Sequence, residues 1–207
     1  MDEVIIPLKD RVSRELVLDQ HSAPLDMTAI FGNDNPVELE IGIGKGYFIM
    51  NAGEKYADRN YIGIEIRRKY LMGARRRIEK RPISNVRLVN GEAFSFMEEY
   101  LLPESLSVIH LYFPDPWPKK RHHKRRLFSP GFLKLVKKTL VPGGQILIAT
   151  DHKGYWEWIT EVLDGQDFLV KCERLPQPVD GSEGLTNYEI KYTREGRPIY
   201  RIGYEKP

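Results

Sequence analysis

Short apolar runs alternate with longer amphipathic stretches through most of this sequence, and this alternation restricts the possible folds more than any other feature. The apolar runs, which we interpret as strands, are Val37–Ile41, Asn60–Glu65, Val86–Val89, Leu106–Tyr112 and Gln145–Ala149. The amphipathic stretches, which we interpret as helices, cover residues 46–57, 67–80, 92–101 and 130–140. Regular alternation of this kind is typical of a parallel sheet with helices on both faces. The sequence therefore predicts an α/β protein with a doubly wound, mostly parallel sheet.

Turn-forming residues mark the ends of several of these elements. Ser129 followed by Pro130 is predicted to be a helix N-cap with proline at the first helical position. The run Pro142-Gly143-Gly144 is predicted to turn the chain into the fifth strand. Two further strand-like pieces follow near Phe168–Cys172 and Ile199–Tyr204.

Length and composition narrow the class of protein. The chain has 207 residues, of which 41% are hydrophobic, enough for one domain with a sizeable core. We expect residues 1–35 to form an N-terminal arm and residues 36–207 to form the domain. A net charge of +3 excludes acidic disordered chains and strongly basic tails. The single cysteine, Cys172, excludes internal disulfides and Cys-rich zinc modules. Because no apolar run reaches the roughly 18 residues of a membrane helix and no secretory signal is recognisable, we expect a cytoplasmic protein, either monomeric or homodimeric.

A glycine loop follows the first predicted strand, with glycines at Gly42, Gly44 and Gly46. At that turn of a doubly wound sheet, glycines allow a nucleotide-like cofactor to approach the backbone. The spacing departs from G-x-G-x-x-G, and Lys45 is not followed by Ser or Thr, which excludes a Walker A phosphate loop. The loop therefore predicts a cofactor site, and the alternative is a tight turn without a ligand.

Three carboxylates lie close to this loop in the predicted fold. Glu40 precedes the first glycine by two residues, a poor place for a pyrophosphate partner but a suitable one for a ligand with an ammonium group, such as S-adenosylmethionine. Glu65 ends the second strand about 20 residues after the loop, where a carboxylate accepts hydrogen bonds from ribose hydroxyls. Glu92 follows the third strand, within reach of an adenine amino group. Taken alone, Glu92 is also typical of a helix N-terminus, and the alternative for the pair Glu40 and Glu65 is that both are solvated strand ends.

A proline-rich loop, Phe113-Pro-Asp-Pro-Trp-Pro-Lys119, directly follows the fourth strand. Three prolines around Asp115 and Trp117 exclude a helix and a continued central strand. They predict a rigid loop at the carboxyl end of the sheet, where ligands bind in doubly wound folds. A stiff connection with Trp117 as packing explains the prolines but not the aspartate among them.

A basic run comes immediately afterwards, and six of its eight residues are Lys or Arg. The run consists of Lys119, Lys120, Arg121, His122, His123, Lys124, Arg125 and Arg126. A run of charge is often only a solvated face, but this one contains no acidic residue and lies beside the predicted site. Six phosphate contacts to a single strand give a slope of log K against log salt of roughly −4. A second basic cluster, residues 67–81, lies on the second predicted helix.

The histidines do not indicate a metal site. His122 and His123 are adjacent and lack the spacing of metal ligands, and His110 lies within an apolar strand. We therefore predict that His110 is a hydrogen-bonded core residue and that the protein holds no metal.

Several motifs together resemble the tRNA (guanine-N7-)-methyltransferase family. They are EIGIGKG, YIGIEI, FPDPWPKKRHHKRR, ATDH and the C-terminal Thr186-Asn-Tyr-Glu189, in unbroken order from about Val37 to Glu189. FPDPWPK followed by a basic run is specific to that family, whereas the glycine loop alone indicates only a methyltransferase. The resemblance implies a class I methyltransferase fold, S-adenosylmethionine as methyl donor and the guanine at position 46 in the variable loop of tRNA as acceptor.

The resemblance also implies roles for individual residues. Asp115 falls on the position of the proposed catalytic residue. The cofactor-contacting positions are Glu40, Gly42, Gly44, Gly46, Glu65, Glu92 and Asp115. The substrate-contacting positions are Lys119, Asp151, Thr186, Asn187, Tyr188 and Glu189, and the RNA-contacting positions are Arg121, His122, His123, Lys124, Arg125 and Arg126. The sequence departs from the family pattern at Glu92, where aspartate is more usual, and in the arm, which lacks an Arg-rich stretch.

The spacing of Thr186 and Glu189 has a second interpretation, because Ser/Thr-x-x-Glu is also a helix capping box. The segment that follows, residues 190–198, has no helical apolar face and soon meets glycine and proline. We therefore expect substrate contact here rather than helix capping.

Two other functional classes share part of this pattern. A nicotinamide-dependent oxidoreductase explains the glycine loop and Glu65 but leaves Glu40 and the basic run without a role. An RNA-binding module without activity explains the basic residues but has no need of carboxylates around a crevice. Calorimetric titration with both cofactors distinguishes the first alternative from a methyltransferase.

Overall fold

The structure, a computed structural model, describes residues 14–179 and 181–207. Its strands are β1 Val37–Ile41, β2 Asn60–Glu65, β3 Val86–Asn90, β4 Leu106–Tyr112, β5 Leu140–Thr150, β6 Val170–Lys171 and β7 Tyr200–Glu205. Its α-helices are α1 Met27–Phe31, α2 Tyr47–Lys55, α3 Arg68–Ile78, α4 Ala93–Glu99, α5 Pro130–Thr139, α6 Lys153–Asp164 and α7 Asn187–Arg194. Two 3-10 helices, Leu18–Gln20 and Lys120–Arg125, complete the regular structure of the described residues.

These strands form one sheet in the order β3-β2-β1-β4-β5-β7-β6. Strands β1 to β5 pair in parallel, whereas β7 runs antiparallel to both β5 and β6. The predicted doubly wound, mostly parallel sheet is therefore confirmed. The antiparallel strand β7, inserted between β5 and β6, distinguishes this sheet from the 3-2-1-4-5-6 order of dinucleotide-binding folds.

The core lies on both faces of the sheet. Helices α2 and α3 cover one face, with Ile49 and Leu71 fully buried, and helices α4, α5 and α6 cover the other. Strand β2 is buried along its whole length, and β4 is buried at every position except Ser107. Burial on both faces explains why these strands are nearly continuous apolar runs rather than alternating ones.

Helix α5 begins and ends close to the predicted residues, but the turn predicted after it does not form. The Ser129 side chain accepts a hydrogen bond from the amide of Phe132, and Pro130 occupies the first helical turn. Strand β5 begins directly after the helix at Leu140, so Pro142-Gly143-Gly144 lies within the strand. The run forms an irregularity that shifts the register against β4 between Leu106 and Val108. The expected turn is wrong because backbone hydrogen bonds to Lys206 pair this segment with the end of the chain.

Part of the predicted arm packs against the sheet. The amide of Leu16 donates to the carbonyl of Leu88 over 2.8 Å, and the amide of Leu88 donates to the carbonyl of Arg14 over 2.7 Å. Leu16 and Leu25 are buried in the core. The first thirteen residues of the predicted arm lie outside the described residues.

His110 is a hydrogen-bonded core residue, as predicted. Its Nε2 lies 2.7 Å from a carboxylate oxygen of Glu38, and its Nδ1 lies 2.6 Å from the hydroxyl of Tyr112. The other Glu38 oxygen accepts a hydrogen bond from Arg59 over 2.9 Å. Every side-chain polar atom of Glu38 and His110 therefore has a partner, as the low exposure of both residues requires.

Among residues 14–179 and 181–207, no helix is both long and apolar enough to span a membrane.

Candidate active site

A cavity of about 500 Å³ opens at the carboxyl ends of the central parallel strands. Loops after β1, β2, β3, β4 and β5 contribute to its wall, and α7 closes one side. Its polar lining includes Glu65, Arg67, Tyr70, Glu92, Asp115, Arg125, Asp151, His152, Tyr188, Tyr192 and Arg197. The predicted crevice is therefore in the predicted place, and chain segments distant in sequence meet there because parallel strands end at one edge.

The glycine loop divides its three glycines between two tasks. Gly42 and Gly44 line the cavity in the left-handed region, with φ of 76° and 53°. Gly46 is buried outside the cavity at the start of α2, and a Cβ there lies 2.7 Å from the Cβ of Ala74. Gly42 and Gly44 thus allow close approach of a ligand to the backbone, whereas Gly46 allows close packing of α2 against α3.

Glu65 holds the loop that follows β2 against the glycine loop. One of its carboxylate oxygens accepts a hydrogen bond from the amide of Gly44, and the other accepts one from the amide of Arg67, each over 2.9 Å. A carboxylate oxygen has two acceptor positions, so these bonds leave capacity for two hydroxyl donors. Its position on the cavity wall is the one that the sequence predicts for a ribose partner.

Glu40 is buried, with 2% of its surface exposed, directly before the glycine loop. Its Oε2 has no hydrogen-bond partner in the described part of the chain. Burial raises the pKa of Glu40 to about 8. The charge of Glu65 raises this pKa further, whereas a hydrogen bond from the amide of Ile49 lowers it. Glu40 itself does not line the cavity, but it lies two residues before Gly42, which does. A buried carboxylate without a cation is costly, and a ligand with an ammonium group close to Glu40 would offset that cost.

Glu92 is the N-cap of α4. One of its carboxylate oxygens accepts from the amide of Ser95 over 2.9 Å and lies 3.3 Å from the Ser95 hydroxyl. The helix-terminal interpretation of Glu92 is therefore confirmed. Because Glu92 also lines the cavity, its contact with an adenine amino group stays a prediction.

Asp115 stands exposed at the cavity wall, in a loop with an unusual backbone. Phe113 and Trp117, two residues to either side, have positive φ of 51° and 43°. Such conformations cost of order 1–3 kcal/mol each and persist only where surrounding contacts enforce them. The loop is therefore held in place, and it presents the Asp115 carboxylate to the cavity.

Asp151 faces the same cavity and is paired with a residue that sequence reasoning missed. Arg197 lies 3.1 Å from a carboxylate oxygen of Asp151 and 4.4 Å from the ring centroid of Tyr192. Tyr192 in turn stacks on Tyr188 at 6.0 Å and contacts Phe113 at 5.9 Å. These aromatic rings and the guanidinium form an aromatic, charged wall, and aromatic faces of this kind can stack on a planar base.

The expectation about capping at Thr186 to Glu189 needs a correction, because the segment caps a helix, whereas its substrate contact stays a prediction. Thr186 is the N-cap of α7 and its hydroxyl accepts hydrogen bonds from the amides of Tyr188 and Glu189, over 3.2 and 3.1 Å. Glu189 is buried, accepts a hydrogen bond from the amide of Leu185 and forms an ion pair with Arg201. The expectation that capping is the weaker explanation is wrong, because α7 is fixed by its cap and this ion pair rather than by an apolar face.

Only part of the predicted substrate set therefore lies on the cavity wall. Asp151 and Tyr188 line the cavity, whereas Lys119, Thr186, Asn187 and Glu189 do not. The spacing of Tyr188 and Tyr192 at i and i+4 was the available signal for the second tyrosine, since residues four apart share one face of a helix. Rejecting a helix in this segment concealed that signal.

The basic run lies beside the cavity mouth as a 3-10 helix, Lys120–Arg125. Arg121, His123 and Lys124 are exposed or largely exposed, while His122 contacts Trp117 edge-on at 5.8 Å. None of the salt bridges within the described residues joins the run from Lys119 to Arg126 to a carboxylate. This charge is therefore not neutralised within the described part of the chain.

The second basic cluster, on α3, differs in this respect. Arg75 pairs with Glu79 over 2.7 Å and with Glu15 over 3.0 Å, Arg68 pairs with Glu15 over 2.8 Å, and an ion pair joins Arg81 to Glu54. Carboxylates thus pair with three of the eight cations of this cluster, and the described salt bridges include none of the other five, Arg67, Lys69, Arg76, Arg77 and Lys80. In the described residues, no group of three or more potential metal ligands occurs near either cluster or elsewhere.

Comparisons with known proteins identify the family of this chain. A family model described as "Putative methyltransferase" matches residues 34–202. The tRNA (guanine-N(7)-)-methyltransferase of Geobacter metallireducens is 38% identical over 191 residues, covering 91% of this chain and 90% of the relative. The enzyme of the same name from Bordetella pertussis is 37% identical over 183 residues, covering 88% of this chain and 72% of the relative.

A solved structure gives the fold independently of sequence. The 30S ribosomal A1408 methyltransferase from an uncultured bacterium aligns with a TM-score of 0.60 at 16% identity, over 90% of this chain and 98% of that one. The fold is that of class I methyltransferases, and the nicotinamide-dependent alternative is wrong. The chain belongs to the tRNA (guanine-N(7)-)-methyltransferase family.

Proposed function

We propose that this protein transfers a methyl group from S-adenosylmethionine to N7 of the guanine at position 46 of tRNA, in the cytoplasm. One observation carries the proposal: the cavity joins an acidic, glycine-lined end to Asp115 and Asp151, beside a basic run without internal ion pairs. The relatives named as tRNA (guanine-N(7)-)-methyltransferases support the reaction, and the resemblance of the loop motif supports position 46.

At the acidic end, Glu40, Glu65 and the backbone of Gly42 and Gly44 would hold the cofactor. S-adenosylmethionine supplies an electrophilic methyl group on a sulfonium centre. Glu65 accepts hydrogen bonds from the ribose, and Glu40, whose Oε2 has no partner within the described residues, would ionise to carry the charge opposite the ammonium group. Glu92 remains the candidate for the adenine amino group.

The chemistry at guanine needs positioning rather than proton removal. N7 carries an in-plane lone pair, so no general base is required, and the work of the protein is to hold N7 in line for attack. The N1–H and N2–H groups of guanine donate hydrogen bonds, which the carboxylates of Asp115 and Asp151 can accept. Because the methylated ring is cationic, a carboxylate that accepts these hydrogen bonds also stabilises the positive charge that develops on the ring in the transition state.

The basic run provides the surface for the RNA backbone. Arg121 and Lys124 are exposed cations, and each phosphate contact to single-stranded RNA adds about −0.7 to the slope of log K against log salt. The paired arginines of α3 are less available for such contacts. We therefore propose that tRNA lies along the mouth of the cavity beside residues 119–126.

The test of the reaction is nucleoside mass spectrometry of tRNA after incubation with S-adenosylmethionine. We expect N7-methylguanosine in tRNA with guanine at position 46 and none when that base is replaced by adenine. Methylation that persists after the replacement contradicts position 46, and the absence of any N7-methylguanosine contradicts the reaction.

The role of Asp115 has its own test. Asp115→Ala should abolish methyl transfer while the protein stays folded, and the matched control Asp58→Ala, exposed at the opposite end of the sheet, should be active. Near wild-type turnover of the Asp115 variant refutes this role.

The RNA surface is tested by the double variant Arg121→Gln and Lys124→Gln. It should weaken tRNA binding and flatten the dependence of affinity on salt, and an unchanged slope would show that tRNA binds at a different surface.

A further inference from the structure

The loop that carries Asp115 has few hydrogen bonds of its own. Pro114, Pro116 and Pro118 have no amide hydrogen, so three of the five residues between Phe113 and Lys119 cannot donate from the backbone. The amide of Phe113 donates to the carbonyl of Ala149 over 2.7 Å and ties the start of the loop to β5. The left-handed backbone at Phe113 and Trp117 requires further contacts to hold it.

Arg126 supplies such a contact at the middle of the loop. Its Nε donates a hydrogen bond to the carbonyl of Pro116, the residue after Asp115, over 2.8 Å. Its guanidinium also lies 5.0 Å from the ring centroid of Tyr155. Tyr155 is fully buried, and its hydroxyl accepts a hydrogen bond from the amide of Phe128. The guanidinium therefore joins the backbone of the loop to a fixed point of the core.

Arg126 differs in this respect from the rest of the basic run. Arg121 and Lys124 are exposed, and Arg125 is exposed with its guanidinium 4.9 Å from the ring of Trp117. Arg126 is half-buried and directed towards the protein. The sequence treats all of these cations alike, but the structure separates the last one from those available to a phosphate.

We propose that Arg126 is a positioning residue that holds the Asp115 loop, and that it is not a contact for the RNA backbone. This inference rests on the proposed function, because the loop has a task only if Asp115 contacts the substrate or the cofactor. The contact acts through Pro116, so Arg126 affects the rate of methyl transfer by fixing where the Asp115 carboxylate stands.

Three substitutions separate a hydrogen bond from a charge. Arg126→Gln places an amide nitrogen the same number of bonds from Cα as the arginine Nε, so it keeps the donor and loses the charge. Arg126→Lys keeps the charge and displaces the donor, and Arg126→Met keeps the length of the stem and loses both. The matched control is the same series at Arg121, which is exposed and makes no hydrogen bond to the loop.

The assays are single-turnover methyl transfer at saturating tRNA and S-adenosylmethionine, corrected for the folded fraction, and tRNA affinity as a function of salt. We expect Arg126→Met to lower the rate about 100-fold, Arg126→Gln to retain more rate than Arg126→Lys, and the salt slope to stay unchanged throughout. At position 121 we expect a slope flattened by about 0.7 in the Gln and Met variants. The control for an unchanged rate and slope is Arg174→Met, because Arg174 is exposed and follows the edge strand β6.

The opposite ranking overturns the proposal. If Arg126→Lys retains tRNA affinity while Gln and Met variants lose it with a flattened slope, Arg126 is an RNA contact. If all three variants keep the wild-type rate, or lose activity only in proportion to the folded fraction, the positioning role is wrong.

A second measurement does not depend on catalysis. Hydrogen exchange of the Phe113 amide should be faster in Arg126→Met than in Arg126→Gln, and unchanged in the Arg121 series. If the wild-type protein methylates no tRNA, the proposed function fails while this exchange ranking still tests the contact. Equal exchange in all Arg126 variants contradicts it.

Discussion

Glu40 makes the stability of this protein depend on pH in a way that one substitution should remove. Burial raises the pKa of Glu40 to about 8, against an ordinary value of 4.5. The native state therefore keeps a proton on this carboxyl between about pH 4.5 and pH 8, while the unfolded chain loses it. Because the folded pKa is the higher one, the stabilisation is complete below about pH 4.5 and is lost as the pH rises through about 8.

The magnitude follows from the change in pKa. Each tenfold change in the protonation equilibrium corresponds to about 1.4 kcal/mol, so Glu40 accounts for about 5 kcal/mol of lost stability between pH 4.5 and pH 8. Glu40→Gln has nearly the same shape and cannot ionise. The free energy of unfolding of the variant should match that of the wild type near pH 4.5 and exceed it by several kcal/mol at pH 8.

Urea unfolding at a series of pH values measures this difference, and comparing the two proteins cancels the contribution of every other titrating group. A difference between them that does not change with pH refutes the reasoning from burial.

The interaction of Glu40 with the cofactor is tested by a separate measurement. The heat of binding S-adenosylhomocysteine is measured at pH 7 in buffers of different ionisation enthalpy, which gives the number of protons released on binding. An ammonium group beside Glu40 should restore its charge and release close to one proton, and Glu40→Gln should release none. Equal proton release by both proteins contradicts the ammonium role.

Three further substitutions test the packing around the site by urea unfolding at constant pH. Gly46→Ala combines a left-handed backbone with a Cβ 2.7 Å from that of Ala74 and should lower the free energy of unfolding by about 2–4 kcal/mol. The control Gly196→Ala, at φ +69° with no atom within 4 Å, should lower it by about 1 kcal/mol. Equal losses in the two variants contradict the clash. Glu38→Ala leaves the buried His110 and the partly exposed Arg59 without their partner and should cost about 1–3 kcal/mol. A loss below 1 kcal/mol contradicts that pairing. Ser129→Ala removes the N-cap of α5 and should cost about 1 kcal/mol, whereas no loss shows that the cap is dispensable.

The parts of the fold that were predicted correctly are those in which local pattern and burial agree. Strands β2 and β4 were predicted at their observed bounds because burial on both faces leaves an apolar run that no other element explains. The position of the cavity followed from the parallel sheet alone, since parallel strands end at one edge.

The errors arose where distant parts of the chain decide the local structure. Helix α7 has a local capping signal at Thr186, which we rejected because the segment lacks an apolar face, and its Glu189 pairs with the distant Arg201 on β7. The run at Pro142 stays within β5 because residues at the end of the chain pair with it. Arg126 has the same residue type and neighbours as the exposed cations, and only the position of Pro116 and Tyr155 gives it a different role. Such long-range contacts have no signature in a window of sequence.

Glu38 and Glu40 provide an internal comparison that bears on the cofactor. They lie two residues apart on β1, so their side chains point to the same face of the sheet, and both are almost fully buried. Glu38 has a partner for each oxygen, whereas one oxygen of Glu40 has none within the described residues. On the same strand, the carboxylate at position 38 therefore has all of its partners, whereas the carboxylate at position 40, beside the glycine loop, lacks one in the described part of the chain. Stability alone favours an apolar residue or a paired carboxylate at position 40, and retention of an unpaired one is expected where a ligand brings the missing partner. It follows that the wild type, destabilised at pH 8, should gain more stability from bound S-adenosylhomocysteine than Glu40→Gln does at the same fixed ligand concentration.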